Sequence, residues 1–147
     1  MTRRATVLGA AAAAVVAATA ATGCGGEAGD LLAVERSGSI PGARLELRVT
    51  VDGRAACNRG ALRQLPSEQV IAARRVERAL AGEEEDPGPA ARDLRLRPGP
   101  RSILRYRARV EAGSVAFADT SRGQPPAFFQ VAKLAHDVAR GTCGLRR

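Results

Sequence analysis

Leu45-Glu46-Leu47-Arg48-Val49-Thr50-Val51-Asp52-Gly53 places an apolar side chain at every second position and ends on a turn dipeptide. Strand side chains alternate between faces, so the stretch reads as a half-buried strand: Leu45, Leu47, Val49 and Val51 inward, Arg44, Glu46, Arg48 and Thr50 outward. Asp52-Gly53 signals a two-residue hairpin into a second strand, Arg54 to Cys57. Pro66 then suits the first turn of a helix with Val70, Ala73, Val76 and Leu80 on one face. Gly82, the acidic run Glu83-Glu84-Glu85-Asp86 and Pro87-Gly88-Pro89 end it in a solvated loop. A shorter strand, Leu31 to Arg36, precedes the unit and stops in the turn region Ser37-Gly38-Ser39-Ile40-Pro41-Gly42.

The plan returns at a constant offset (104 − 45 = 59): Pro41 answers to Pro100, Leu45 to Leu104, Leu47 to Tyr106, Val51 to Val110, Pro66 to Pro125 and Gly82 to Gly141. A strand from Leu104 to Val110 turns through Ala112-Gly113 into Val115 to Asp119. A proline-started helix follows, with Phe128, Ala132, Ala135 and Ala139 on one face. The expectation is an α+β domain: an antiparallel sheet of about four to five strands, two helices packed on one face, and a ββα plan that reads as a tandem repeat.

The N-terminus gives an address. Arg3 and Arg4 precede an alanine-rich apolar stretch that ends in Ala21-Thr22-Gly23-Cys24, the pattern of a lipoprotein signal peptide cleaved before an acylated Cys24. Ordinary cleavage after Ala18-Thr19-Ala20 is the alternative, and Thr2-Arg3-Arg4 partly matches a twin-arginine signal. Residues 1–23 are therefore read as signal peptide, 24–30 as a small, polar tether and 31–147 as one domain, lipid-anchored outside the cytoplasm. In an oxidising compartment Cys57 and Cys143 are expected to pair, two separate thiols being the alternative. The pair would close a long loop, worth about 4–5 kcal/mol at most by chain entropy.

Nothing in the sequence calls for a cofactor or metal, and no enzyme motif emerges. The single histidine, His136, adjoins Asp137, but neighbouring helix residues point about 100° apart, so the aspartate is not placed to orient it. Neither Ser114 nor Ser121 sits in a nucleophile elbow. The chain is basic, with a net charge of +8, and of 23 basic residues only Lys133 is a lysine. Arg105, Arg107 and Arg109 share the outward face of one strand, and Arg44 and Arg48 the outward face of another. Such a surface suits an anionic envelope polymer, an anionic lipid or an acidic protein. The export signal and the lack of exposed stacking aromatics on the basic strands argue against nucleic acid.

The run Val34-Glu35-Arg36-Ser37-Gly38-Ser39-Ile40-Pro41-Gly42, the pair Cys57-Asn58, the Tyr106 strand and the ending Cys143-Gly144 together resemble actinobacterial lipoproteins of an uncharacterised family. The same opening, with Leu65-Pro66-Ser67-Glu68 and Tyr106-x-x-x-Val110-Glu111, is also similar to emfourin-type inhibitors of thermolysin-like metallopeptidases, though Ser39 stands where that family has a second glycine. The resemblances imply a non-catalytic, membrane-anchored extracytoplasmic binding protein. Its partner is then an extracytoplasmic protein such as a metallopeptidase, or an anionic envelope polymer held by the arginine face. Ser37, Ile40 and Pro41 in the first loop, Arg59 and Leu62 after Cys57, and Arg105, Arg107 and Arg109 are the candidate partner-binding residues.

Overall fold

The structure is a computed structural model and describes residues 28–145. The expectations for the signal peptide, for acylation of Cys24 and for most of the tether lie outside the described residues. In chain order the elements are β1 (Asp30–Gly38), β2 (Leu45–Thr50), β3 (Arg54–Cys57), β4 (Arg63–Gln64), α1 (Ser67–Ala81), β5 (Leu104–Val110), β6 (Gly113–Ala118) and α2 (Pro126–Gly141). The strands form one antiparallel sheet in the order β4-β3-β2-β1-β5-β6. This is the expected α+β architecture with six strands; the extra one is β4, two residues in a stretch read as loop.

β1 is the centre of the sheet, with β2 on one side and β5 on the other. Its alternation sends Leu32, Val34 and Arg36 toward the helices and Ala33, Glu35 and Ser37 to the opposite face. Leu45, Leu47 and Val49 of β2, and Tyr106, Ala108 and Val110 of β5, join the helix side, where Val76 and Leu80 of α1 and Phe128, Val131 and Val138 of α2 complete the core. Three of the four aromatic rings stack in that core: Tyr106 on Phe117 at 5.0 Å between centroids, Phe117 on Phe128 at 4.3 Å. Phe129 is exposed.

The first hairpin departs from its expected phase at one end. Thr50 is fully buried and Val51 is 48% exposed. Gly53 N–H donates to Thr50 O at 3.0 Å, which centres the turn on Val51 and Asp52 and puts Gly53 (φ 82°) in the left-handed position after it. The Thr50 hydroxyl donates to the Asp52 carboxylate and accepts from Arg54 N–H at 3.2 Å, so a buried polar side chain closes the turn with its hydrogen bonds satisfied. The second hairpin turns on Glu111 and Ala112, one residue before the expected pair. Gly29 and Asp30, read as the end of the tether, belong to the fold: Val51 N–H donates to Gly29 O at 3.0 Å, and Asp30 pairs with Arg48 at 2.9 Å.

Pro66 and Pro125 stand at the N-caps of α1 and α2, where a missing N–H costs nothing. Gly82 (φ 74°) ends α1, and a Cβ there would lie 2.0 Å from Gly88 N, so the closed acidic loop 83–86 depends on a glycine at its neck. Beyond it, Leu96 N–H donates to Ala116 O and Ala116 N–H to Leu94 O, covering the outer edge of β6. Cys57, at the end of β3, is disulfide-bonded to Cys143, just past α2. Beside it Arg63 donates to Thr142 O at 3.2 Å, and the Thr142 hydroxyl donates to Gln69 Oε1 at 2.9 Å. The end of α2 is thereby fastened to the first half of the chain.

The ββα order does occur twice at the offset of 59: β2 and β5, β3 and β6, and α1 and α2 all start 59 residues apart. In space the two units are not rotational copies. β2 and β5 run the same way, both antiparallel to β1, while β3 lies outward on one side and β6 outward on the other. With both helices on the same face, the units are mirror images across β1, and no rotation superposes them.

Candidate functional site

Among the described residues, the face opposite the helices carries no second layer. Along β5, Arg105, Arg107 and Arg109 project from it, and the register sets Ser37, Glu35 and Ala33 of β1 directly beside them. On the other side of β1, Glu35 faces Glu46 and Ala33 faces Arg48. Ala116 and Ser114 of β6 flank Arg107 and Arg109. The loop after β3 and the segment 94–98 line its two sides, so the face is a trough whose floor runs through Ala33, Glu35 and Ser37 of β1. One concavity of about 650 Å³ includes Ser37, Arg105 and Arg107 with Leu96 and Pro98. A second of about 500 Å³ includes Arg59, Leu62 and Arg109. Both contain Glu35 and Glu46.

Six of the eight candidate residues, drawn from three separate stretches of sequence, thus meet on one surface. Ile40 and Pro41 do not; they sit exposed on the β1–β2 loop at the end of the sheet. Arg59 reaches the trough because Asn58 (φ 50°) and Arg59 (φ 59°) are both left-handed and reverse the chain. Asn58 tolerates that conformation better than most residues. Its N–H donates to Glu46 O at 2.7 Å and its Oδ1 accepts from Glu46 N–H at 2.9 Å, while Arg59 pairs with the Glu46 carboxylate at 3.1 Å.

Charge on this face is mixed but predominantly positive. Arg44 and Arg59 approach Glu46, Arg48 pairs with Asp30, and Arg95 pairs with Asp93 at 2.8 Å. Hydrogen bonds from Arg95 and then Ser114 hold the Asp93 carboxyl below its usual range, with the charge of Arg107 adding to the effect. Among the described residues, Arg105, Arg107 and Arg109 take part in no ion pair. Exposed pairs of this kind contribute only about 0–1 kcal/mol to stability, so the arginines matter here for the field they project.

The end of the sheet that carries Ile40 and Pro41 is stiffened from inside. Arg36, 6% exposed, donates from Nε to Ala43 O at 2.8 Å and from its guanidinium to Gly42 O at 3.2 Å, gripping the β1–β2 loop. Arg36 is absent from the candidate residues, although continuing the Leu32–Val34 alternation by two positions puts it inward. Burial raises the pKa of the neighbouring Tyr106, against the opposing charge of Arg36. Across the same end, the Asp119 carboxylate accepts from Ser102 Oγ–H at 2.8 Å and from the N–H groups of Ile103 and Leu104 at 3.1 Å. Desolvation is the largest single influence on Asp119 and raises its pKa, but these hydrogen bonds together outweigh it and leave the pKa lowered.

The groups considered for catalysis are not brought together. His136 is exposed on α2, and Asp137 is engaged by Lys133. The Ser121 hydroxyl donates to Arg97 O and accepts from Ala118 N–H, and the Ser114 hydroxyl donates to Asp93. Among the described residues, no cluster of three His, Cys, Asp or Glu is placed to hold a metal ion, and no helix is long and apolar enough to cross a membrane. Comparison with protein-family models, curated proteins and solved structures finds no match to this chain.

Proposed function

We propose that the protein is a non-catalytic binding protein of the cell envelope, lipid-anchored through Cys24, that holds an anionic partner on the open face of its sheet. One observation carries this reading: Arg105, Arg107 and Arg109 stand in line along β5, without ion pairs among the described residues, in a trough also lined by Ser37, Arg59 and Leu62. The disulfide between Cys57 and Cys143 agrees with an oxidising location. The test is binding of the oxidised protein to anionic ligands at increasing salt. Affinity should fall steeply with salt and drop when the three arginines become glutamine; binding unaffected by both changes removes the reading.

Peptidase inhibition is the second reading, favoured by two restrained loops at one end of the sheet. Residues 38–43 are gripped by Arg36, and the loop after Cys57 is tied by the disulfide and the Asn58–Glu46 pair. Restraint lowers the ordering cost of binding a cleft. Titration against a thermolysin-like metallopeptidase decides it: stoichiometric inhibition that survives moderate salt and is lost on disulfide reduction supports it, and full peptidase activity at high protein concentration rejects it.

A further inference from the structure

We infer that the occupant of the trough is a linear phosphodiester polyanion, laid along β5 with one phosphate at each of Arg105, Arg107 and Arg109. The inference rests on the reading of the open face as a binding surface and specifies what it binds.

Spacing is the first argument. Alternate residues on a strand recur about every 7 Å, so three arginines present three charges over about 14 Å in a straight line. An extended polyol-phosphate chain repeats its charge at a comparable spacing, and each guanidinium fork matches two phosphate oxygens. The two sides of the stripe supply the second argument. Toward β6 the trough is lined by Ala116, Ser114, Leu96 and Pro98 and by Arg95, whose charge is paired with Asp93, a bed of little net charge for a polymer backbone. Toward β2 stand Glu35, directly opposite Arg107, and Glu46 beyond it, and the arginines on that side are already engaged, Arg44 and Arg59 by Glu46 and Arg48 by Asp30, so an anionic chain meets Glu35 there and lies better between β5 and the segment 94–98.

Ring-bearing polymers fit less well. Tyr106, Phe117 and Phe128 are buried in the core stack, Tyr106 and Phe117 only 7% and 4% exposed, and Phe129 is on α2, so among the described residues no exposed ring lies beside the arginine stripe for sugar rings or bases to stack on. A flat lipid headgroup layer fits a walled concavity less well than a single chain does.

The experiment is calorimetric titration of the oxidised protein with glycerol-phosphate oligomers from monomer to hexamer, with phosphatidylglycerol vesicles in parallel. Affinity should climb steeply to the trimer and then flatten, and trimer binding should fall with salt at a log–log slope of about −2 for three contacts. Arg107→Gln should weaken the trimer about tenfold, as expected for loss of one charged hydrogen-bonding group. Glu35→Gln should strengthen binding several-fold, while Arg75→Gln, the same charge change as Arg107→Gln but on the exposed side of α1, should leave it alone. Affinity independent of oligomer length, or an equal loss with Arg75→Gln, overturns the inference. Vesicle binding through the three arginines without oligomer binding overturns it while leaving the open face as the binding surface. Binding to neither overturns both.

Discussion

The two ββα units, 45–81 and 104–141, share element order and spacing but hold themselves together differently. The first contains no aromatic residue and relies on aliphatic side chains, on the Cys57–Cys143 crosslink and on a buried threonine to close its hairpin. The second has all four aromatics and centres on the Tyr106–Phe117–Phe128 stack, with its first helical turn seated on Phe117. A large stacked core gives the second unit its own source of stability, whereas the first borrows from the second through a bond to the end of α2. The lesson is that a shared sequence period need not mean a shared unit: the halves are mirror-related about β1 and are secured by different chemistry.

The largest expected effect tests the aromatic side. Phe128→Ala removes the fully buried end ring of the stack and should cost about 3–5 kcal/mol in urea unfolding; a loss below 1 kcal/mol would mean that the second unit does not depend on the stack. Removing the crosslink with Cys57→Ser and Cys143→Ser should cost about 2–4 kcal/mol. Hydrogen exchange should then speed up in β3 and β4 well before β5 and β6, and uniform acceleration would erase the asymmetry drawn here.

Gly82 and Gly141 occupy equivalent places in the period and sharpen the comparison. Gly82→Ala meets Gly88 N at 2.0 Å in a left-handed conformation and should lose about 1–3 kcal/mol. Gly141 lies within α2, and an added Cβ meets only Gln69 Nε2, at 3.2 Å, so Gly141→Ala should change stability by less than about 1 kcal/mol. Equal losses at both sites would restore the view of two like units.

Smaller effects come from ionisation at the second unit. Because its folded pKa is lowered from 3.8, Asp119 adds stability that is present above that value and lost as pH falls through the lower folded value. Asp119→Asn should flatten the acid limb of stability against pH, and an unchanged limb would dismiss its role in holding residues 102–104. Tyr106, the only tyrosine, should ionise above 10.0 in the folded protein and return to 10.0 on unfolding, read by tyrosinate absorbance. Its folded-state contribution is fully present below 10.0 and fades as pH rises through the raised value. An unshifted titration would mean that the stack is open to water.

Much of this was legible locally. Period-two alternation located β2 and β5, prolines and glycines bounded both helices, and reading Cys24 as the acylated residue left Cys57 and Cys143 as the expected pair. Less legible was anything that depends on a partner distant in sequence. β4 is two residues long and exists only because β3 offers it an edge. Thr50 is buried because the turn slipped by one residue, exchanging its place with Val51. For the candidate site, the arginine stripe was readable from β5 alone, but the opposition of Glu35 to Arg107 and the placing of Arg59 and Arg109 in one concavity were not.

The sequence by itself determined the main strands and helices and the basic outward stripe, because each follows from backbone periodicity or turn chemistry within a short window. Only the tertiary structure decided that β1 lies between the two units, that these are mirrored across it, and that the arginines line a trough with Glu35 and Glu46 on one side and the Asp93–Arg95 pair on the other. Strand order and register are settled by which pairings bury the apolar faces together, a global competition that a local pattern does not encode.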